Sequence, residues 1–250
     1  MYFYTFEKKI HFLKLAIDIG NTSTKLALFE AKNVFATAAI NKCNLKNIQK
    51  FVANKEISAT IISSVKEINS EISSIADYYK AIVLSENTPV PIKNHYKTPN
   101  TLGKDRLAAV VGANFLYHKK DIIVFDAGTC LTIDFLSKKG EYIGGRISPG
   151  IEMRYKALHT FTNKLPLVKK GKTTPFIGDD TNSSISSGVQ QGILAEVRSI
   201  ISEYRLEKPD ALAVVTGGDC FFFEKELKNS IFANPNLVLI GLNEILDFNE

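Results

Sequence analysis

The feature that most constrains the fold of this chain is an acidic residue at the end of an apolar segment, followed at once by a tight glycine turn. It occurs twice: Asp18 ends residues 12–18, and Asp126 ends residues 121–126. At an offset of 108 residues the aligned pairs are Asp18 with Asp126, Gly20 with Gly128, Thr24 with Thr132 and Leu28 with Leu136. Two copies at one long offset indicate a duplicated unit rather than a solenoid.

Apolar, β-rich segments alternate with helical patterns in both halves of the chain. Strands are predicted at residues 12–18, 24–29, 34–40, 59–63, 81–84, 121–126, 130–136, 141–146, 211–215 and 237–240. Helices are predicted at residues 45–53, 68–79, 102–117, 151–161, 181–204 and 221–228 and at the C-terminus. This alternation predicts an α/β fold with antiparallel hairpins at the start of each half.

The repeat also predicts the domain organisation. Residues 1–11 are expected to form an N-terminal extension, residues 12–118 a first domain and residues 119–250 a second. Two such halves leave a cleft between them.

Composition excludes several classes of protein. The net charge of +5, from 31 basic and 26 acidic residues, is too small and too scattered for a nucleic-acid-binding face. No segment approaches the roughly 20 apolar residues that span a bilayer, and residues 1–12 lack the apolar core of a signal peptide. The 3 cysteines are widely spaced and favour a reducing compartment. We therefore expect a cytoplasmic protein that contacts neither membranes nor nucleic acid.

The first glycine turn has the chemistry of a phosphate-binding loop. Gly20 allows close backbone approach to a phosphate, residues 21–23 add side-chain donors, and Lys25 adds a positive charge. Asp18 could hold a hydrated Mg²⁺. An ordinary β-hairpin would use similar residues, but the second copy at Asp126 favours a pair of turns that bracket the phosphates of a nucleotide. Neither a P-loop nor a dinucleotide-binding fingerprint occurs after a strand.

Two further motifs are candidates for substrate contacts. Thr216-Gly217-Gly218-Asp219 follows a predicted strand and is either a contact for adenosine or a plain tight turn. Gly103-Lys104-Asp105-Arg106 begins a predicted helix, where an acidic residue is favoured in any case. Within this motif, Asp105 could accept the proton of an acceptor hydroxyl, and Arg106 could form a bidentate pair with a carboxylate.

Together the motifs resemble those of the type III pantothenate kinases, members of the acetate kinase/sugar kinase/Hsp70/actin superfamily, from about Leu13 to the C-terminus. The matching residues are Asp18-x-Gly20-Asn21-Thr22, Tyr96-x-x-Pro99-x-x-Leu102-Gly103-x-Asp105-Arg106, Asp126-Ala127-Gly128-Thr129, Gly144-Gly145-x-Ile147-x-Pro149-Gly150, Leu165-Pro166, Gly178-x-x-Thr181, Ser187-Gly188-Val189 and Thr216-Gly217-Gly218-Asp219. Their order and spacing are more specific than any single motif.

The resemblance implies a duplicated RNase H-like (actin-like ATPase) fold, in which two similar domains with mixed sheets flank a nucleotide cleft. It also implies ATP-dependent phosphorylation of pantothenate to 4′-phosphopantothenate, the first step of coenzyme A biosynthesis. The implied ATP-binding residues are Asp18, Ile19, Gly20, Asn21, Thr22, Ser23, Thr24, Lys25 and Thr129. The implied pantothenate-binding residues are Tyr96, Gly103, Lys104, Asp105, Arg106 and Thr181.

Particular roles follow from the same resemblance. Asp105 would be the catalytic base, Asp18 would hold Mg²⁺ through water, and Asp126 would bind a monovalent cation, K⁺ or NH₄⁺. The protein would be a homodimer in which Thr181 reaches the partner's substrate.

Three alternatives stay open at this stage. The chain could be a kinase or phosphatase for another small metabolite, or a nucleotide-binding regulator without turnover. A regulator would be expected to lack Asp105 or Asp126, and both are present. An actin-like filament protein or chaperone is disfavoured because 250 residues leave no room for additional subdomains.

Overall fold

Two mixed β-sheets, one built mainly from each half of the chain, form the frame of the computed structural model, which describes residues 12–171 and 174–250. The predicted extension at residues 1–11 lies outside the described residues. The elements of the first half are β1 (Leu13–Ile19), β2 (Thr24–Glu30), β3 (Asn33–Ile40), α1 (Leu45–Val52), β4 (Ile57–Ser64), α2 (Ser70–Tyr79), β5 (Ile82–Val83), β6 (Lys93–Asn94), a 3-10 turn (Pro99–Thr101) and α3 (Lys104–Leu116). Those of the second half are β7 (Ile122–Ala127), β8 (Cys130–Ser137), β9 (Glu141–Pro149), α4 (Ile151–Thr160), α5 (Thr181–Glu207), β10 (Leu212–Thr216), α6 (Cys220–Glu226), β11 (Phe232–Ala233) and α7 (Leu237–Phe248).

The two sheets have the same strand order and the same strand directions. The first runs β3-β2-β1-β4-β5, and the second runs β9-β8-β7-β10-β11, with β6 added beyond β9. In the first sheet β1, β2 and β3 pair antiparallel, and β4 and β5 run parallel to β1. In the second sheet β7, β8 and β9 pair antiparallel, and β10 and β11 run parallel to β7. The predicted duplication and the predicted α/β fold are therefore confirmed.

The central strand β1 is apolar except at Lys14 and Asp18, because both of its faces are covered. Leu15 and Ile17 pack with residues of α1 and α2, whereas Ala16 packs with residues of α3 and α7. Successive side chains point to opposite faces of a strand, so this partition follows from the register of β1. The result is a layered half in which the end of β1 is held firmly on both sides.

Helices α3 and α7 cross between the two sheets at very short distance. A Cβ atom added to Gly241 would lie 1.8 Å from the carbonyl oxygen of Ala108, and one added to Gly112 would lie 2.3 Å from that of Leu237. The surrounding core contains residues of both sheets, among them Ala16 and Val124. The beginning of α3 is thereby fixed at the junction of the two halves.

Two elements pack against the sheet of the other predicted domain, although the predicted boundary lies between residues 118 and 119. Helix α7 belongs to the second half but contacts β1 and β4 of the first sheet. Strand β6 belongs to the first half but pairs with β9 of the second sheet. The domain limits stay a prediction.

The predicted strand at residues 237–240 is wrong, because these residues form the first turn of α7. A short apolar run does not distinguish a strand from a buried helix. The apolar residues continue at helical spacing through Leu242, Ile245 and Leu246, all of which are buried. The fifth strand of the second sheet is instead β11, which was not predicted.

Among residues 12–171 and 174–250, none of the helices combines the length and apolar character needed to cross a bilayer.

Candidate active site

The two glycine turns meet at the ends of the central strands. The hydroxyl oxygen of Thr22, in the turn after β1, lies 3.4 Å from that of Thr129, in the turn after β7. Asp18 is opposite Lys25 in the β1–β2 pair, and Asp126 occupies the equivalent position in β7. The repeated motif is therefore folded into one place from two distant parts of the chain.

Asp18 is buried next to other negative charges. Burial is the main cause that raises the pKa of its carboxyl group to about 7, and the charges of Asp105 and Asp126 raise this pKa further. The Lys25 charge and the neighbouring Ser63 hydroxyl lower this pKa. A carboxyl group with these surroundings binds either a proton or a cation near neutral pH.

Asp126 is in the same electrostatic environment. Burial raises the pKa of its carboxyl group to about 6; Lys25 lowers this pKa, and Asp105 and Asp134 raise it. Because the charge of Asp105 raises the pKa of both strand-terminal aspartates, the three predicted carboxylates lie within electrostatic reach of one another and of the Lys25 ammonium group. We call these three residues the aspartate cluster.

Several buried polar atoms around Asp18 and Asp126 lack hydrogen bonds to the described residues of the protein. Within the described part of the chain, four such atoms near the strand ends make no hydrogen bond of normal geometry: Asp18 Oδ1, Ser63 Oγ, Thr132 Oγ1 and Thr216 Oγ1. The Ser63 hydroxyl is nevertheless close enough to the Asp18 carboxyl group to lower its pKa. Ser63 pairs with Asp18 in the β1–β4 register, and the two threonines flank Asp126 on β8 and β10. Since buried polar groups are normally satisfied, this cluster of oxygens indicates a polar or cationic ligand.

Three turns approach one another closely at the second strand end. A Cβ atom on Gly217, whose φ is +89°, would lie 2.4 Å from the carbonyl oxygen of Ala127 and 2.5 Å from Asp126 Oδ1. The amide of Asp219 donates to the carbonyl oxygen of Ala127 over 3.0 Å. A Cβ atom on Gly150 would lie 2.2 Å from the carbonyl oxygen of Gly128. These contacts fix the backbone around Asp126.

Asp105 lies in the first turn of α3, where Gly103 is the N-cap. Its Oδ1 accepts a hydrogen bond of 2.8 Å from the amide of Arg106, so the carboxylate is held at the positive end of the helix. The side chain of the intervening Lys104 is directed to Glu86, 3.5 Å away. Of the residues in this motif, Asp105 is the one that joins the aspartate cluster.

Arg106 is almost fully buried and forms an ion pair with Asp134 of β8. Its Nη2 lies 2.6 Å and its Nε 3.1 Å from Asp134 Oδ1. Tyr142 donates its hydroxyl to the same oxygen over 2.7 Å. The ring of Tyr96 lies 5.6 Å from Arg106 Cζ and stacks on Tyr142 with centroids 6.0 Å apart. Two predicted pantothenate residues, Tyr96 and Arg106, are thus brought together.

The predicted ATP-binding residues of the first turn differ in accessibility. Asn21, Thr22 and Thr129 are exposed, whereas Ile19 and Thr24 are buried in the β1–β2 pair. Nucleotide contacts from Ile19 would therefore come from its backbone. The amide of Gly20 is used within the turn, donating to the carbonyl oxygen of Ser23 over 3.1 Å.

Thr181 is the predicted site residue that the structure leaves apart from the others. It is exposed at the beginning of α5, directly after the N-cap Asp180. The shallow groove that it lines is formed by α4, α5 and the loop between them, without residues of the aspartate cluster.

The residues present fit a hydrated Mg²⁺ bound together with phosphate better than a metal held by protein ligands alone. Across the described ranges, no group of three or more His, Cys, Asp or Glu side chains could hold a metal ion. Mg²⁺ commonly uses one or two carboxylates together with water and substrate phosphates. Asp18, with an unpartnered buried oxygen, suits that arrangement.

Sequence reasoning missed Asp134, Tyr142 and Ser63. A signal for Asp134 was present, because a charged residue inside the apolar strand Leu-Thr-Ile-Asp-Phe-Leu is unusual and predicts a buried partner. Ser63 could have been inferred from its position near the end of a strand parallel to β1, since such ends share one edge of the sheet.

The duplicated sheet with its paired aspartate turns has the fold of the actin-like ATPases and sugar kinases. Solved structures agree at the level of the fold. A glucokinase from an Antarctic psychrotroph has a TM-score of 0.52 at 12% identity, covering 94% of this chain and 99% of its own. A Baf family transcriptional activator from Campylobacter jejuni has a TM-score of 0.61 at 23% identity, covering 94% and 98%.

Sequence relatives define the family. A family profile described as type III pantothenate kinase matches residues 14–203. The type III pantothenate kinase of Bacteroides fragilis is 42% identical over 241 residues, covering 95% of this chain and 98% of its own. That of Christiangramia forsetii is 42% identical over 244 residues, covering 95% and 99%. The chain belongs to the type III pantothenate kinases, and the resemblance stated from its motifs is confirmed.

Proposed function

We propose that the protein transfers the γ-phosphoryl group of ATP to the hydroxyl of pantothenate and forms 4′-phosphopantothenate, the first step of coenzyme A biosynthesis. Family membership supports both substrates. The observation that carries the proposal is the cluster of Asp105 with Asp18 and Asp126, because it puts a candidate base beside a candidate phosphate site.

The turn from Asp18 to Lys25, together with Thr129, would bind the phosphates of ATP. Lys25 supplies positive charge next to both strand-terminal aspartates. Asp18 would hold Mg²⁺ through water, and Mg²⁺, when bound, neutralises charge on the phosphate oxygens. The close backbone around Gly217 would contact the nucleoside.

Asp105 would orient the pantothenate hydroxyl and accept its proton. Phosphoryl transfer depends mainly on positioning and charge neutralisation, and a positioned base adds about 10²–10⁴-fold. The hydrogen bond from the Arg106 amide holds the Asp105 carboxylate in place before the substrate arrives. Tyr96 and Arg106, whose ring and guanidinium are neighbours, would contact pantothenate, with the guanidinium facing its carboxylate.

Asp126 would bind K⁺ or NH₄⁺. The unpartnered hydroxyl oxygens of Thr132 and Thr216 flank it on the neighbouring strands and are suitable oxygen ligands. A cation there would also stabilise the ionised form of a carboxyl group whose pKa is raised to about 6.

The enzyme would act as a homodimer in which Thr181 reaches the partner's pantothenate. Exposed apolar side chains at the end of α4 and in the loop before α5 support this proposal, because exposed apolar patches indicate contact surfaces. They are Phe161, Phe176 and Ile177, with exposures of 86%, 81% and 79%. The free thiols of the 3 cysteines suit a reducing compartment, and we place the enzyme in the cytoplasm.

The test is incubation of the purified protein with pantothenate, ATP, Mg²⁺ and K⁺, with mass spectrometry of the products. We expect 4′-phosphopantothenate from the wild type and a loss of at least about 10²-fold in rate for Asp105→Asn, with ATP affinity largely retained. Phosphorylation of another hydroxy acid or sugar in place of pantothenate would favour a different metabolite kinase. ATP binding without any product would favour a regulator.

A further inference from the structure

Arg106, Asp134 and Tyr142 form a buried polar network beside the candidate active site. Asp134 and Tyr142 are 1% and 0% exposed, and Arg106 is 5% exposed. The three side chains come from β8, β9 and α3, so the network joins the first turn of the helix that carries Asp105 to the second sheet. In the mechanism above, neither Asp134 nor Tyr142 has a role.

Asp134 uses only one of the two forks of the Arg106 guanidinium. Arginine has five N–H donors in a plane, and they form two forks that can each bind a carboxylate. The side-on fork consists of Nε and Nη2, and the end-on fork consists of Nη1 and Nη2. Asp134 takes the side-on fork, through Nε and Nη2. The end-on fork is not used by Asp134. Tyr96 also hydrogen-bonds with the guanidinium: burial lowers the pKa of Arg106, whereas Asp134 and, more weakly, Tyr96 raise it. A substrate carboxylate at this fork would therefore meet Tyr96 as well.

Tyr142 connects this network to Tyr96. Its hydroxyl donates to Asp134, and its ring stacks on Tyr96 at an interplanar angle of 15°. Tyr96 also lies next to the guanidinium of Arg106. Replacing Asp134 would therefore alter the positions of both Tyr96 and Arg106.

The packing leaves little freedom for other arrangements. A Cβ atom on Gly145 would lie 2.4 Å from Asp134 Oδ1 and 2.6 Å from Arg106 Nη2. Glycine at this position thus makes room for the pair. Without its partner, a buried guanidinium would be strongly unfavourable and would move toward water.

We propose that Asp134, supported by Tyr142, is a positioning residue for the acceptor substrate: it holds Arg106 so that the end-on fork of its guanidinium meets the carboxylate of pantothenate. This proposal rests on the proposed function. The alternative is that the pair only anchors α3 to β8. A fixed guanidinium lowers the cost of ordering on binding, so the effect should appear in the affinity for pantothenate and not in that for ATP.

The test is steady-state kinetics of Asp134→Asn with each substrate varied in turn, after the wild type has been shown to phosphorylate pantothenate. A hydrogen bond to a charged group contributes enough that we expect KM for pantothenate to rise at least about tenfold. KM for ATP should stay within about twofold. Tyr142→Phe, which keeps the Arg106–Asp134 ion pair and removes one hydrogen-bond donor to Asp134, should raise KM for pantothenate by about threefold. This variant tests the proposal if Asp134→Asn does not fold.

The control is Asp247→Asn, which removes a carboxylate of α7 from an ion-pair cluster with Lys14 and Lys32, without any hydrogen bond or ion pair to Arg106 or Tyr96. It should lower thermal stability without changing KM for pantothenate. If Asp134→Asn raised both KM values equally, only lowered the melting temperature, or bound pantothenate as tightly as the wild type, the positioning role would be wrong. Absence of turnover in the wild type would instead contradict the proposed function.

Discussion

The carboxylate of Asp105 occupies the space that a side chain on Gly103 would need: a Cβ atom at Gly103 would lie 2.5 Å from Asp105 Oδ1. The backbone of Gly103 has an ordinary φ of −55°, so the absence of a side chain serves this contact and not an unusual conformation. We infer that Gly103 lets the candidate base accept its hydrogen bond from the Arg106 amide.

Gly103→Ala is therefore predicted to lower kcat by about 10–100-fold, because a displacement of about 1 Å at a reacting group can cost that much. Stability should change by less than about 1 kcal/mol, since the Asp105 side chain can move aside. Enzyme kinetics and thermal unfolding measure the two effects. In the control Gly192→Ala, a Cβ atom on an exposed glycine of α5 would have no neighbour within 4 Å. An unchanged kcat in Gly103→Ala would contradict the assignment of Asp105.

The raised pKa of Asp18 predicts that the unliganded protein becomes less stable as pH rises. The folded state keeps the proton up to a pKa of about 7, whereas the reference value is 3.8. Between these two values the folded state binds more protons than the unfolded state, so the stability due to this group falls from about pH 4 to about pH 7 and is absent above it.

Asp18→Asn removes the buried charge and should make the unliganded protein more stable at pH 8, by up to about 4 kcal/mol, with little difference at pH 4. Urea unfolding at both pH values measures this, and the variant should also lose kinase activity. Asp77→Asn, at an exposed position of α2, is the control and should show no such gain. A loss of stability at pH 8 in Asp18→Asn would show that the ionised carboxylate is stabilised in the empty site.

Gly217→Ala tests the close turns around Asp126. Its positive φ and the contact with the Ala127 carbonyl oxygen leave no room for a Cβ atom, so we expect destabilisation of about 2 kcal/mol or more and weaker ATP binding. Gly218→Ala, one residue further, is the control for stability because a Cβ atom there would have nothing within 4 Å. Equal unfolding free energies of the two variants would contradict this description of the turn.

Exchange of the monovalent cation tests the role of Asp126. Dialysis into sodium or lithium buffer should lower the rate, and K⁺ or NH₄⁺ should restore it. Because the cation would be held by the Asp126 carboxylate, Asp126→Asn should have a low rate in all four buffers. A wild-type rate that is the same in sodium and potassium would make the proposed cation site wrong.

The parts of the fold that could be predicted from the sequence are those that local chemistry determines. The strand-terminal aspartates and their glycine turns are visible as a repeat, and the shared strand order of the two sheets confirms it. Apolar runs with clear turns on both sides, such as residues 12–18 and 121–126, correspond to β1 and β7.

The parts that could not be predicted depend on contacts between distant residues. The run at residues 237–240 is the first turn of α7, and the helical spacing that identifies it begins only with the residues that follow. The close packing of α7 on α3 at Gly112 and Gly241 could not be predicted from the sequence. Likewise, the pairing of Arg106 with Asp134 depends on how α3 docks on β8. From the motif we predicted that Arg106 pairs with a substrate carboxylate. The sequence did not show that Nε and Nη2 of its guanidinium donate to Asp134.

The most direct measurement is a crystal structure of the protein with a non-hydrolysable ATP analogue, Mg²⁺ and pantothenate. We expect the triphosphate between the turns that follow Asp18 and Asp126, with the pantothenate hydroxyl within hydrogen-bond distance of Asp105. Pantothenate bound away from Asp105, or a nucleotide bound outside these two turns, would contradict this expectation.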